Sequence, residues 1–209
     1  MRVWKTFCAG LLLSLTACSE DDYHYPDVVT NMVEMETDSK GYIHLIRTDE
    51  GAEYSPNKSI TFEKATPDSL YRVRCIYQPA EDSSCTLYNI TLLVSPFPVG
   101  PSSFKEILTN PVKVTSVWQS GNYVNLHLGI MTQGGTHKYQ FINQGIQRNS
   151  IGKNTLHLLL YHDQNEDPEA YTREVFLSCP LTRLNLQSGD SIHITLNTYE
   201  GEKVYSFLK

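Results

Sequence analysis

The chain has no uninterrupted run of 18 apolar residues, so no membrane-spanning helix is expected. It is short of positive charge: 17 Lys and Arg stand against 23 Asp and Glu in 209 residues. That balance excludes nucleic acid as a partner, because binding a phosphate backbone needs clustered cations. Gly-x-Ser-x-Gly, His-Glu-x-x-His, Cys-x-x-Cys and glycine-rich phosphate loops are all missing. The acyl-transfer, zinc, thiol-redox and nucleotide chemistries served by those spacings are therefore not expected. The chain reads as a non-enzyme that needs no metal and no cofactor. Long helix-period segments and internal repeats are also absent. What the sequence does hold is 13 tyrosines and many short β-branched runs punctuated by Gly, Pro, Asn and Asp.

The first residues read as a targeting segment. Arg2 and Lys5 precede the apolar run "FCAGLLLSLTA", which has the length of a signal peptide and is too short to span a bilayer. It ends in Leu15-Thr16-Ala17-Cys18, which resembles the lipobox of bacterial lipoproteins. The resemblance implies cleavage before Cys18 and acylation of its thiol, so residues 1–17 are expected to be removed. Two or three acyl chains, at about 0.8 kcal/mol per buried methylene, suffice to hold a protein on a membrane. The processed chain then carries 15 basic and 23 acidic residues, a formal charge of -8. Its unacylated thiols are Cys75, Cys85 and Cys179.

Residues 18–26 read as a lipidated tether. Beyond them, nearly every segment has the composition of a strand. Five short strands within residues 27–95 suggest a small OB-like β-barrel. "SPFPVGPSS", residues 95–103, holds three prolines and one glycine and marks a domain boundary. "FKEILTN" after it is expected to form a short helical turn. Residues 104–209 hold about seven strands and suggest a β-sandwich. The expected fold class is therefore all-β, with a barrel followed by a sandwich.

Candidate sites follow from spacing. If residues 79–83 form the turn between "LYRVRCIYQ" and "CTLYNITLLV", Cys75 lies opposite Cys85. A cross-strand disulfide is then one alternative and two buried thiols the other. Asp163, Asn165, Asp167 and Glu174 fall at four positions of a calcium loop, but Pro168 stands where that loop needs Gly. A solvated acidic hairpin tip is the better reading. Period-two alternation turns Tyr123, Asn125 and His127 away from the core. It does the same for His157, and for His193, Asn197 and Tyr199. If their strands share a sheet, these seven residues form one face rich in Tyr, Asn and His, a composition suited to recognition. The alternative is an ordinary solvated sheet face.

Several stretches together resemble one family. They are "YHYPDVVTNMVEMETDSKG", "TDEG", "LYRVRCIYQP" and "PVKVTSVWQSGNYVNLHLGI". They are similar to the NigD-like lipoproteins of Gram-negative gut and oral anaerobes. The resemblance implies an N-terminal OB fold, a C-terminal β-sandwich and a link to bacteriocin immunity. It brings no catalytic residues. Acids just after the acylated cysteine, here in Ser19, Glu20, Asp21 and Asp22, resemble the export signal of the same bacterial group. They imply display on the outer face of the outer membrane. The expected function is binding of a peptide, glycan or envelope protein by a surface lipoprotein, with bacteriocin immunity as the leading form. The alternatives are a glycan-binding accessory of a nutrient-uptake system and a structural envelope protein.

Overall fold

Alternating apolar and polar residues turn the first half of the chain into five strands, β1 (Val29–Thr37), β2 (Ile43–Thr48), β3 (Glu53–Pro56), β4 (Leu70–Pro79) and β5 (Ser84–Leu92). The computed structural model describes residues 27–148 and 152–209; Cys18 and Ser19 to Asp22 lie outside the described residues. The five strands close into a barrel in the order β1-β2-β3-β5-β4. β3 and β5 run parallel, and the other neighbours run antiparallel. Val33, Met35, Ile46, Val73 and Cys75 point inward and are wholly buried. Five strands leave a narrow lumen, which these modest side chains fill.

Cys75 and Cys85 both lie in this core as free thiols. Of the two alternatives, buried thiols and a cross-strand disulfide, the structure holds the first. The turn falls at residues 80–84, where the Ala80 N–H donates to the Ser84 carbonyl at 2.9 Å. Cys85 is therefore opposite Pro79, and a bulge beside Ile76 and Tyr77 puts Cys75 opposite Ile90. The two cysteines are thus displaced by four residues, roughly 13 Å along β4. That separation is about twice what a disulfide spans. Burial pushes both thiols up, Cys75 to about 12 and Cys85 to about 11.

The second half forms β6 (Lys113–Ser120), β7 (Tyr123–Thr132), β8 (Lys138–Arg148), β9 (Asn154–Asp163), β10 (Tyr171–Pro180), β11 (Ser191–Thr198) and β12 (Gly201–Leu208). They make two sheets, β10-β7-β6 and β12-β11-β9-β8. Val124, Leu126, Leu128 and Ile130 of β7 face Leu156, Leu158 and Leu160 of β9, with Ile192, Ile194 and Leu196 of β11. All ten are at most 2 % exposed, so this is the larger core.

The proline-rich boundary is not a free spacer. Val94 bridges to Leu177 and Val99 to Ile142. The Val99 N–H donates to the Phe141 carbonyl at 3.0 Å, and the Asn143 N–H returns to Val99 at 2.8 Å. One short 3-10 turn, Pro101–Ser103, follows. "FKEILTN" is not helical: Phe104 instead stacks on Tyr161 at 4.6 Å, and Thr109 bridges to His162. Backbone groups in this segment find their partners on the sandwich, which removes the need for a helix to satisfy them.

Candidate functional site: the cleft between barrel and sandwich

Register explains how the two halves meet. Pairing on the outer face of the β10-β7-β6 sheet makes three rows: Ser120, Tyr123 and Pro180; Trp118, Asn125 and Ser178; Ser116, His127 and Phe176. The barrel turns the outer face of β4 toward these rows. Arg72 is the centre of the contact. Its guanidinium grips Asp49 with two bonds, Nη1 to Oδ1 at 2.6 Å and Nη2 to Oδ2 at 2.7 Å. Nε donates to Ser178 Oγ at 3.1 Å and Nη2 to Asn125 Oδ1 at 3.2 Å. The same group lies 3.8 Å over the Tyr123 ring. Ser120 also bonds to Asp49, and the Tyr123 hydroxyl donates to Glu34 at 2.7 Å. Burial, reinforced by Glu34, pushes the Tyr123 hydroxyl well above its ordinary range. Gly121 has φ +50, and a Cβ there would lie 2.8 Å from the Asp49 carbonyl, so only glycine lets this turn reach the barrel.

Beside this junction lies an open cleft of about 490 Å³. Thr30, Asn31 and Met32 of β1, with Asp49, Glu50 and Arg74, form its barrel side. Trp118, Ser120 and Phe176 form its sandwich side. Trp118, Phe176 and Arg74 are each half-buried. Arg74 lies 5.0 Å over the Phe176 ring, and that ring stacks on His127 at 4.2 Å. The cleft therefore offers two aromatic faces, one methionine, one cation and two acids. Asp49 is committed to Arg72, whereas Glu50 sits exposed at the rim. Elsewhere on the barrel, Arg47 is surrounded by Glu53 at 2.7 Å, Glu36 at 3.1 Å and Glu34 at 3.3 Å. Its charge is spent within the protein, so this surface offers a phosphate little.

The seven residues expected to share one face divide into two groups. Tyr123, Asn125 and His127 do point away from the sandwich core, and the barrel covers Tyr123 and Asn125. Tyr123 is 8 % exposed and Asn125 is fully buried. His127 Nε2 lies 3.4 Å from Glu174, out of line for a hydrogen bond. Of the other four, Tyr199 belongs to the turn after β11, and His157, His193 and Asn197 to the opposite sheet, whose outer face looks the other way. There His157 and His193 are register partners on parallel strands, edge to face at 5.2 Å. Asn197 donates to the Thr109 carbonyl at 2.6 Å and so holds the boundary segment. The Tyr199 hydroxyl donates to Glu169 at 3.1 Å; partial burial and that acid push it up to about 12. One face of seven residues does not exist, because the strands carrying them lie in different sheets. No group of three or more His, Cys, Asp and Glu among the described residues could hold a metal ion.

A second polar cluster closes the far end of the sandwich. His137 Nδ1 and His162 Nε2 are 2.8 Å apart, and His137 Nε2 is 3.2 Å from Asp167 Oδ2. His162 Nδ1 donates to the Asn110 carbonyl at 2.8 Å. Asp167 accepts from the Thr132 hydroxyl, from Gln133 N–H at 3.1 Å and from Gly135 N–H at 2.9 Å. The acidic tip is thus not wholly solvated, since Asp167 is 8 % exposed. Its carboxyl is held below the usual range, first by Thr132 and then by His137 and the two N–H groups. Burial, aided by His137, lowers His162. Both shifts act in the same direction. A depressed histidine favours folding above its unfolded pKa of about 6.5, and that contribution is lost below this value, as pH falls through the lower pKa of the folded state. A depressed carboxyl loses its contribution at lower pH still. Urea midpoints should therefore hold steady near neutrality and fall below about pH 6.5. In His162→Gln the upper part of that fall should disappear.

Residues 95–208 match the model of the NigD-like C-terminal beta sandwich domain, more than half of the chain. Among solved structures, a NigD-like immunity protein from Bacteroides caccae is 24 % identical, with a TM-score of 0.64 over 88 % of this chain and 94 % of that one. A protein of unknown function from Bacteroides vulgatus is 18 % identical, with a TM-score of 0.68 over 87 % and 90 %. At these identities the likeness carries the fold. No curated protein matches the chain.

Proposed function

We propose a binding function, on the premise that the chain belongs to the NigD-like family. The family and the immunity-protein neighbour fit a non-enzymatic role. The observation that carries the reading is the cleft, where Trp118 and Phe176 face Arg74 across the junction of the two domains. Aromatic walls beside one charged group suit recognition. Ser120, a hydroxyl in the cleft, is committed to Asp49 and Asn125, which favours binding over nucleophilic chemistry. The protein is a lipid-anchored outer-membrane protein facing the cell exterior. Leu15 to Cys18 and the acids through Asp22 support that location. Its ligand is a bacteriocin, and its role is immunity, a reading supported by the nature of the Bacteroides caccae neighbour. The glycan-binding alternative draws on one observation: a half-exposed tryptophan ring in a cleft is also a platform for a sugar.

Deleting the gene should sensitise cells to a bacteriocin from a neighbouring strain. The wild-type gene should restore resistance, whereas Cys18→Ala, lacking the anchor, should not. Unchanged killing of the deletion strain, together with retention of the protein on a polysaccharide column, would favour the glycan reading instead.

A further inference from the structure

Arg74 has an incomplete set of partners. Arg72 is bound to Asp49, Ser178 and Asn125, and Arg47 to three glutamates. Arg74 is half-buried in the cleft wall, and among the described residues its guanidinium meets only the Phe176 ring. A partly desolvated cation without an anion is a costly arrangement that a carboxylate ligand would relieve.

The barrel supplies a second observation. β1 pairs with β4 from Val29 to Glu36, but with β2 only from Val33 onward. β2 ends at Thr48, and the chain turns away through Asp49 and Glu50. The stretch from Val29 to Met32 therefore has one open edge. Thr30, Asn31 and Met32, on that edge, line the cleft together with Arg74. Unpaired backbone groups on a strand edge accept an added strand.

We infer that the cleft binds an extended peptide segment, laid along the open edge of β1, that presents a carboxylate to Arg74 and an apolar or aromatic side chain to Trp118 and Phe176. This rests on the cleft being the ligand site. A strand edge reads a peptide backbone and has no equivalent use for a sugar. A polyuronate would also bring one negative charge per residue toward Glu50 and an acidic protein, whereas a peptide brings a single carboxylate. That carboxylate is either a chain terminus or an Asp or Glu side chain, and the two are separable by experiment.

Trp4 belongs to the leader, so Trp118 is the one tryptophan of the processed chain and reports on the cleft directly. Its fluorescence is titrated with four probes: acetyl-Ala-Leu-Phe with a free carboxylate, the same peptide as its amide, acetyl-Ala-Glu-Phe amide, and oligogalacturonate. The expected result is a saturable change with one of the two carboxylate peptides at least tenfold tighter than with the neutral amide. Which of the two binds identifies the source of the carboxylate. Arg74→Gln should erase the preference and Arg74→Lys should keep part of it, while both retain the wild-type circular dichroism. Equal binding of acid and neutral amide would overturn the carboxylate assignment and leave the cleft a ligand site. Response to oligogalacturonate alone, or to no probe, would overturn the peptide assignment, and the gene deletion would still judge the immunity reading separately. Tight binding of a peptide of residues 19–26 in preference to these probes would overturn it in favour of the chain's own tether.

Discussion

Replacing Arg72 with alanine should destabilise the protein by about 3–5 kcal/mol, the range for breaking a buried ion pair by removing one partner. The pair is buried on both sides: the Arg72 side chain is 3 % exposed and that of Asp49 is 7 %. Without the guanidinium, Asp49 keeps only the Ser120 hydroxyl among the side-chain partners that hold it. Asn125 and Ser178 each lose a donor as well, although they still bond to each other at 2.6 Å. Urea unfolding of Arg72→Ala and of the Arg72→Leu, Asp49→Leu pair checks this. The double variant should recover part of the loss, since no uncompensated charge remains. A loss below about 1 kcal/mol would class the contact with exposed ion pairs.

Phe141→Ala should cost a similar amount, about 3–5 kcal/mol, for a different reason. Phe141 is 1 % exposed in the sandwich core, and its removal leaves a cavity that rigid neighbouring strands cannot close. The useful outcome is where the loss is felt. If the Arg72 contact joins the domains into one cooperative unit, a cavity in the sandwich lowers the stability of the barrel as well. Thermal unfolding followed separately by labelling of Cys179 in the sandwich core and of the barrel thiols should shift by the same amount. A shift confined to the sandwich would mean that the halves unfold independently.

Much of the architecture is legible in the sequence because alternation with period two is a local property. It places the strands and assigns inward and outward phases correctly along β7, β9 and β11. What lies beyond it is which strands share a sheet and what covers an outward face. Tyr123, Asn125 and His127 have the composition of a recognition surface, but Tyr123 and Asn125 are spent on the barrel of their own chain and His127 stacks on Phe176 beside them. Arg72 reads as an ordinary charge on a strand, since its partners lie 23, 53 and 106 residues away. Cys75 and Cys85 are not register partners because the hairpin centres on residue 82, two residues beyond the centre that such a pair needs, and a bulge at Tyr88 adds one more step; neither shows in a count of intervening residues. The buried His137–His162–Asp167 cluster left one usable sign. The alternation that turns His157 outward turns His162 inward beside Leu158 and Leu160, where a histidine needs partners.

Barrel and sandwich are joined into one unit around the cleft by the Arg72 contact. Native-state labelling of the three thiols tests this most directly. Cys75 and Cys85 report the barrel and Cys179 the sandwich, and burial keeps all three protonated and unreactive until the fold opens. In the wild type, labelling without denaturant should give one opening free energy for all three thiols, and in Arg72→Ala the barrel thiols should separate from Cys179. Barrel thiols that label orders of magnitude faster than Cys179 in the wild type would contradict the account.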